Sequence, residues 1–322
     1  MEIGLYGLGR MGANMVRRLV RSGEHRVVAG NRSPGPVDEA VSEGAEGAYS
    51  MEEMVEKLAP SRAIWSMVPA GDATEQTLLD FAELMDEGDI LIDGGNSYFR
   101  DSIRRAKMLR ERGLRFLDAG TSGGIWGLRV GYCLMVGGDA EAFEHVEPAL
   151  KTLAPPDGYL YTGGAGAGHF VKMVHNGVEY GMLQAYAEGF EIMQKSQYDL
   201  DLHAVSHLWN QGSVVRSWLL ELAESAFEKD ANLDSIRGYV EDSGEGRWTV
   251  LEAINESVPA NAIAGSLFAR FASRQDDSFA MKVIAALRGE FGGHAVQEAS
   301  TKYPEEKLRR SGCNPPASKE QR

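Results

Sequence analysis

The sequence predicts an α/β chain, with a doubly wound parallel sheet in its first half and an all-helical second half. Three observations carry that expectation. Up to about residue 160, short apolar runs alternate with amphipathic segments, the pattern of strands joined by crossover helices. The runs are rich in Val, Ile and Leu and alternate little in polarity, as strands covered on both faces require. From Gly166 onward strand signals nearly vanish and helical periodicity takes over.

In chain order, strands are expected over 3–6, 26–29, 63–68, 90–93, 115–118, 132–136 and 159–162. Helical patterns such as 12–21, 51–58, 98–112 and 140–153 lie between them, and a long helix runs from 168 to 196. Residues 163–168, Gly-Gly-Ala-Gly-Ala-Gly, read as a turn opening that helix. The boundary is placed there, giving a sheet domain over 1–165 and a helical domain over 166–300. Residues 301–322 are polar, carry Pro315 and Pro316, and are expected to form a disordered tail.

A length of 322 residues suits two domains with separate cores. Hydrophobic content of 43% and charged content of 25% are ordinary for a soluble protein. No apolar run approaches the ~20 residues that cross a bilayer, and the N-terminus has no signal-peptide pattern. A cytoplasmic location without membrane attachment is therefore expected. Cys133 and Cys313 are too few for a disulfide framework and lack metal-ligand spacing, so no metal is expected. The formal net charge of −14 argues against nucleic acid as a partner. It also means that any anionic substrate needs cations concentrated at its site.

Gly7-Leu8-Gly9-Arg10-Met11-Gly12 fits G-x-G-x-x-G. The match follows an apolar strand, opens an amphipathic helix and leads to a second strand, which is the context of a Rossmann-type dinucleotide turn. There, backbone N–H groups at a helix N-terminus meet a pyrophosphate. A tight turn without a ligand is the plainer alternative. Selectivity for a ribose 2′-hydroxyl calls for Asp or Glu at the end of the second strand, where this chain has Asn31-Arg32-Ser33. A guanidinium beside small polar side chains suits a 2′-phosphate, so NADP is favoured over NAD. Alternatively, Arg32 is a solvated loop residue.

The other informative stretch is the start of the long helix. At ~100° per residue, Lys172, His175, Asn176 and Glu179 share one face. Val171, Met173, Val174 and Val178 occupy the remaining, apolar surface. Ionisable groups among apolar residues cost several kcal/mol unless paired, so the polar stripe should line a cleft. An exposed face with a simple charge pair is the bland alternative. Gly177 lets another backbone or a ligand come close. A lysine with a depressed pKa serves as a base and a carboxyl with a raised one as an acid.

At residues 168–180, Gly-His-Phe-Val-Lys-Met-Val-His-Asn-Gly-Val-Glu-Tyr, the chain resembles the active-site helix of the decarboxylating 6-phosphogluconate dehydrogenases. Further segments match in order: residues 7–12, 31–33, 93–97 (Asp-Gly-Gly-Asn-Ser), 122–124 (Ser-Gly-Gly), 134–138, 246–249, 268–270 and 288–294. The resemblance covers roughly residues 1–295 and is to the short form of this β-hydroxyacid dehydrogenase superfamily member.

The resemblance implies oxidation of 6-phosphogluconate in the pentose phosphate pathway, with Lys172 as base and Glu179 as acid. Asn96, Ser122, Gly123, Gly124, His175 and Asn176 would hold the substrate's carboxylate and hydroxyls. Tyr180, Arg270, Arg288 and His294 would hold its phosphate, the last two from a neighbouring subunit, which implies a homodimer or homotetramer. Val68, Pro69, Ala70 and Asn96 would join Gly7, Leu8, Gly9, Arg10, Met11, Gly12, Asn31, Arg32 and Ser33 around the cofactor. The chain departs from the family at Ser243-Gly244-Glu245-Gly246-Arg247, where a lysine and a threonine for phosphate are expected; either Arg247 or another cation compensates, or the pocket is rearranged. Two other readings share parts of this pattern. One is a related dehydrogenase acting on a short non-phosphorylated 3-hydroxy acid, and the other is a dinucleotide-binding protein without catalysis. His175, Asn176, Glu179 and Tyr180, with the closing Arg288 and His294, argue against the first, and the intact Lys172 and Glu179 argue against the second.

Overall fold

The computed structural model describes residues 1–292 and 295–297. Met1–Ser273 is one compact unit, and Arg274–Arg322 is a second. In the first, β1 (Glu2–Tyr6), β2 (Arg26–Gly30), β3 (Glu46–Ala48), β4 (Ala63–Ser66), β5 (Ile90–Asp93), β6 (Arg115–Ser122), β7 (Cys133–Gly138) and β8 (Tyr159–Gly163) form a single sheet. Its order is β3-β2-β1-β4-β5-β6-β7-β8. The connections carry α1 (Arg10–Ser22), α2 (Pro34–Ser42), α3 (Met51–Lys57), α4 (Asp72–Leu84), α5 (Phe99–Glu111), α6 (Gly127–Val130) and α7 (Ala140–Leu153).

The sheet is covered on both sides, which explains why its strands alternate so little in polarity. Along β4, Trp65 joins a core with Ile3, Leu5, Met15 and Leu19. Its neighbour Ile64 joins a separate core with Met54, Phe81 and Leu109. Helix starts are fixed locally: Ser50 accepts from Glu53 N at the start of α3, and Asp139 from Ala142 N at the start of α7.

Two features differ from the sequence reading. The edge strand β3, Glu-Gly-Ala, has none of the β-branched residues that mark strands; only its pairing with β2 makes it one. The expected parallel sheet also contains one antiparallel pair, β6 with β7. A parallel return needs a long crossover, and residues 123–132 between them hold only a 3₁₀ turn and α6. That pairing, from Leu117↔Gly138 to Ser122↔Cys133, carries β6 beyond the expected end at 118.

After β8 the unit is helical, with α8 (Ala167–Gln194), α9 (Leu202–Asn210), α10 (Trp218–Lys229), α11 (Glu245–Asn255) and α12 (Asn261–Ser273). Phe190, Leu220 and Phe227 form its apolar centre. The first turn of α8 sits directly on the sheet. The buried Asp118 carboxylate on β6 accepts from Gly166 N at 2.7 Å and His169 N at 2.8 Å. The second unit is represented by α13 (Phe279–Gly292). The expected tail, 301–322, lies outside the described residues.

Candidate active site

Strands β1 and β4 are neighbours from which the chain winds in opposite directions, the point where open α/β sheets bind ligands. The glycine turn leaves β1 there. Gly7 has φ +99° and donates to Gly30 O at 2.9 Å. A Cβ on Gly12 would stand 2.1 Å from Gly7 O, so that glycine is needed for the turn itself. Gly9, by contrast, has nothing within 4 Å of a Cβ position and immediately precedes α1. The open space in front of a helix N-terminus fits a pyrophosphate.

Asn31 Oδ1 accepts from Leu8 N at 3.1 Å, and Asn31 Nδ2 donates to Ser33 Oγ at 3.0 Å. Asn31 therefore ties the end of β2 to the glycine turn, and the Arg32 guanidinium stands exposed beside them. Arg10 is exposed and Met11 half-buried on the first turn of α1. After β4, Thr74 Oγ1 bonds the carbonyls of Val68 and Pro69 at 3.2 and 2.8 Å, holding the loop that carries Val68, Pro69 and Ala70.

The α8 face faces the end of β6. Lys172 is only 6% exposed because its stem lies on Gly120, where a Cβ would stand 2.4 Å from Lys172 Cβ. Burial lowers the Lys172 pKa, opposed by the carboxylates of Glu179 and Glu245. The ammonium makes no hydrogen bond or ion pair with any described residue. His175 Nε2 lies 3.3 Å from Ser122 Oγ and its Nδ1 3.0 Å from Asn176 Oδ1. Glu179 Oε2 stands 4.0 Å from His175 Nδ1, and both side chains are half-buried. Asn96 makes a reciprocal pair with Thr121, donating to its O at 3.2 Å and accepting from its N at 2.9 Å. Gly123 and Gly124, with φ +125° and +52°, turn the chain after Ser122. The polar residues of α8 thus converge with Asn96 and Ser122. Of the apolar flank, Met173 is buried, whereas Val171, Val174 and Val178 are exposed.

Gly177 has a neighbour that the sequence left unnamed. A Cβ there would stand 2.6 Å from Thr249 on α11, whose Oγ1 donates to Met173 O at 2.8 Å. Farther along α8, Tyr180 is buried under Arg270, whose Cζ lies 3.6 Å from the ring centroid. Arg270 also donates to Glu241 O at 2.9 Å. In the divergent segment, Ser243 Oγ donates to the Glu245 carboxylate. Arg247 is engaged by Asp242 at 2.7 and 3.0 Å and stacks on Phe271, so the cation beside Tyr180 is Arg270. Arg288 is exposed on α13 in the second unit, and His294 lies outside the described residues. Sequence reasoning missed Gly120, Thr249 and the field of Glu245 at Lys172; only the repeated glycines of β6 and β7 hinted at the close approach of α8.

Comparison with known proteins shows the family of the chain. The model of the NAD-binding domain of 6-phosphogluconate dehydrogenase matches residues 2–163, and that of its C-terminal domain matches residues 168–300. Bacillus subtilis YqeC is 49% identical over 92% of this chain and 100% of its own length. The NAD(+)-dependent, decarboxylating 6-phosphogluconate dehydrogenase of Haloferax volcanii is 46% identical over 92% of this chain and 98% of its own. Among solved structures, the Plasmodium falciparum 6-phosphogluconate dehydrogenase superposes with a TM-score of 0.79 at 29% identity, covering 95% of this chain and 68% of that one. The chain belongs to the 6-phosphogluconate dehydrogenase family.

Proposed function

We propose that this chain oxidatively decarboxylates 6-phospho-D-gluconate to D-ribulose 5-phosphate and CO2, reducing a nicotinamide dinucleotide. The observation that carries the reading is Lys172: a buried amine with a lowered pKa, on the same helix face as Glu179 and beside Ser122, His175 and Asn176. When bound, the nicotinamide supplies the hydride acceptor for substrate carbon 3. Lys172, as the neutral amine, takes the proton of the 3-hydroxyl. The resulting 3-keto acid loses CO2 because the carbonyl β to the carboxylate accepts the electron pair. The Lys172 ammonium returns its proton to that oxygen, and takes it back as Glu179 protonates the carbon that becomes C1 of the product.

Asn96, Ser122, Gly123, Gly124, His175 and Asn176 would hold the carboxylate and hydroxyls. Tyr180 and Arg270 would hold the phosphate, completed by Arg288 and His294 of a second copy in a homodimer or homotetramer. The exposed Val171, Val174 and Val178 support such a subunit contact. The dinucleotide would lie on residues 7–12, with Val68, Pro69, Ala70 and Asn96 toward the nicotinamide. In this division, residues 1–165 carry the cofactor and residues 166–300 the substrate chemistry. NADP is favoured because the exposed Arg32 is flanked by Asn31 and Ser33 rather than a carboxylate. The NAD(+)-dependent Haloferax relative weighs the other way. Among the described residues no helix is long and apolar enough to cross a membrane, and a cytoplasmic location is proposed.

The test follows reduced cofactor and CO2 together, with 6-phosphogluconate and with NADP and NAD in parallel. One CO2 per reduced dinucleotide supports the reading. Reduction without CO2, or faster turnover of a short non-phosphorylated 3-hydroxy acid, replaces it with the related dehydrogenase activity.

A further inference from the structure

We infer that Arg105 is a positioning residue that sets the spacing between the two loops bearing Val68–Pro69–Ala70 and Asn96; the inference rests on the function proposed above. Its side chain, on α5, is 1% exposed. Nη1 donates to Asp93 Oδ2 and Ser97 Oγ, each at 3.0 Å. Nη2 donates to Gly71 O at 3.3 Å, and Nε to Glu75 Oε2 at 2.7 Å. Gly71 and Glu75 belong to the segment that follows β4, whereas Asp93 and Ser97 bracket the segment that follows β5. One guanidinium therefore spans both.

The loops are held against each other at the same place. Asp93 Oδ1 accepts from Gly95 N at 3.0 Å, and Asp93 Oδ2 accepts from Ser97 Oγ at 2.8 Å. Gly95 lies so close to the first loop that a Cβ would stand 2.4 Å from Val68 O. Between Gly95 and Ser97, Asn96 is forced to φ +51°, a left-handed conformation uncommon for a residue with a side chain. Such strain persists where the surroundings over-determine it, and here Arg105 fixes one side while Thr121 fixes the other.

Stability alone is a poor reason for this arrangement. A buried ion pair loses most of its attraction to desolvation, and well-packed apolar residues often serve as well. What apolar packing does not supply is a planar fork whose donors address acceptors on two chain segments, Gly71 O and Glu75 on one and Asp93 and Ser97 on the other, at set angles. Hydride transfer is sensitive to the separation of donor and acceptor on the ångström scale.

The test uses the full-length enzyme with Arg105→Lys and Ser97→Ala. The second variant removes one donor without leaving a buried charge, so it keeps the test decisive if the first does not fold. Arg105→Lys is expected to lower kcat about 10- to 100-fold, with a larger primary isotope effect on C3-deuterated 6-phosphogluconate as hydride transfer becomes limiting. Fluorescence titration with NADPH should show affinity weakened about five- to tenfold, and Ser97→Ala should move each quantity the same way by a smaller factor. Folded variants with a lower Tm but an unchanged isotope effect and NADPH affinity would reduce Arg105 to a structural residue and overturn the inference. Should the wild-type enzyme fail to oxidise 6-phosphogluconate, the functional reading falls by itself. The NADPH titration still decides whether Arg105 shapes the dinucleotide loop, and unchanged affinity rejects it.

Discussion

The two ends of the candidate site are built from different material. At the start of α1, the groups available to a ligand are backbone N–H groups, and the open space before them depends on Gly9 lacking a side chain. On α8 they are side chains, and their chemistry depends on what covers them. Lys172 differs from a surface lysine because β6 offers Gly120 for its stem to lie on. A backbone site is written in local spacing; a side-chain site is written in its neighbours, which are remote in sequence.

Four substitutions and one pH profile bear on this contrast, in order of expected effect. Lys172→Met should lower kcat by about 10³-fold or more while leaving NADPH affinity near wild type. Parallel loss of both would mean that the two ends are not separate. In the wild-type enzyme, kcat/KM should rise with pH as Lys172 loses its proton, because only the neutral amine accepts one. Burial lowers that pKa, so the rise should lie below the ordinary lysine value of 10.5; a limb at or above it would contradict the burial argument.

Gly120→Ala comes next. The new methyl group would meet Lys172 Cβ at 2.4 Å, and relief of that clash should cost about 1–3 kcal/mol in denaturant unfolding, together with a lower kcat. Unchanged stability would show that α8 shifts freely. Arg32→Ala should raise the KM for NADP by about tenfold and leave that for NAD nearly unchanged; equal effects would remove Arg32 from the 2′-phosphate. Thr249→Val should have the smallest effect, about 1 kcal/mol from the lost bond to Met173 O, with the KM for 6-phosphogluconate unaltered.

The same contrast explains what the sequence made legible. The strand–glycine–helix unit at residues 3–22 follows from local pattern, as do α8 and its polar face, because turn chemistry and helical period are short-range. Strand β3 was hidden because pairing with β2 rather than composition makes it a strand. The direction of β7 was hidden because a strand's own residues do not say which way its partner runs. In the divergent segment, Arg247 offered itself as a cation for phosphate, yet Asp242, five residues earlier, holds it. Competition of that kind is visible only in three dimensions. Glu75, bound by Arg104 and Arg105, is another case: its pKa falls to about 2. The stabilisation it brings is full above its ordinary value of 4.5 and is lost as pH falls through about 2.

The opening of α8 carries a consequence for ligand traffic. Its glycine-rich entry, residues 163–168, reads in sequence as a turn opening a helix, and the start of a helix attracts anions. Asp118 already fills that role from within, since its two oxygens take the N–H groups of Gly166 and His169. That internal carboxyl occupies the N–H groups at the helix's positive end that an approaching anion would use. On the proposed reading, a nucleotide's diphosphate meets residues 7–12 instead, and a sugar phosphate finds its counter-charge on Arg270 beside Tyr180.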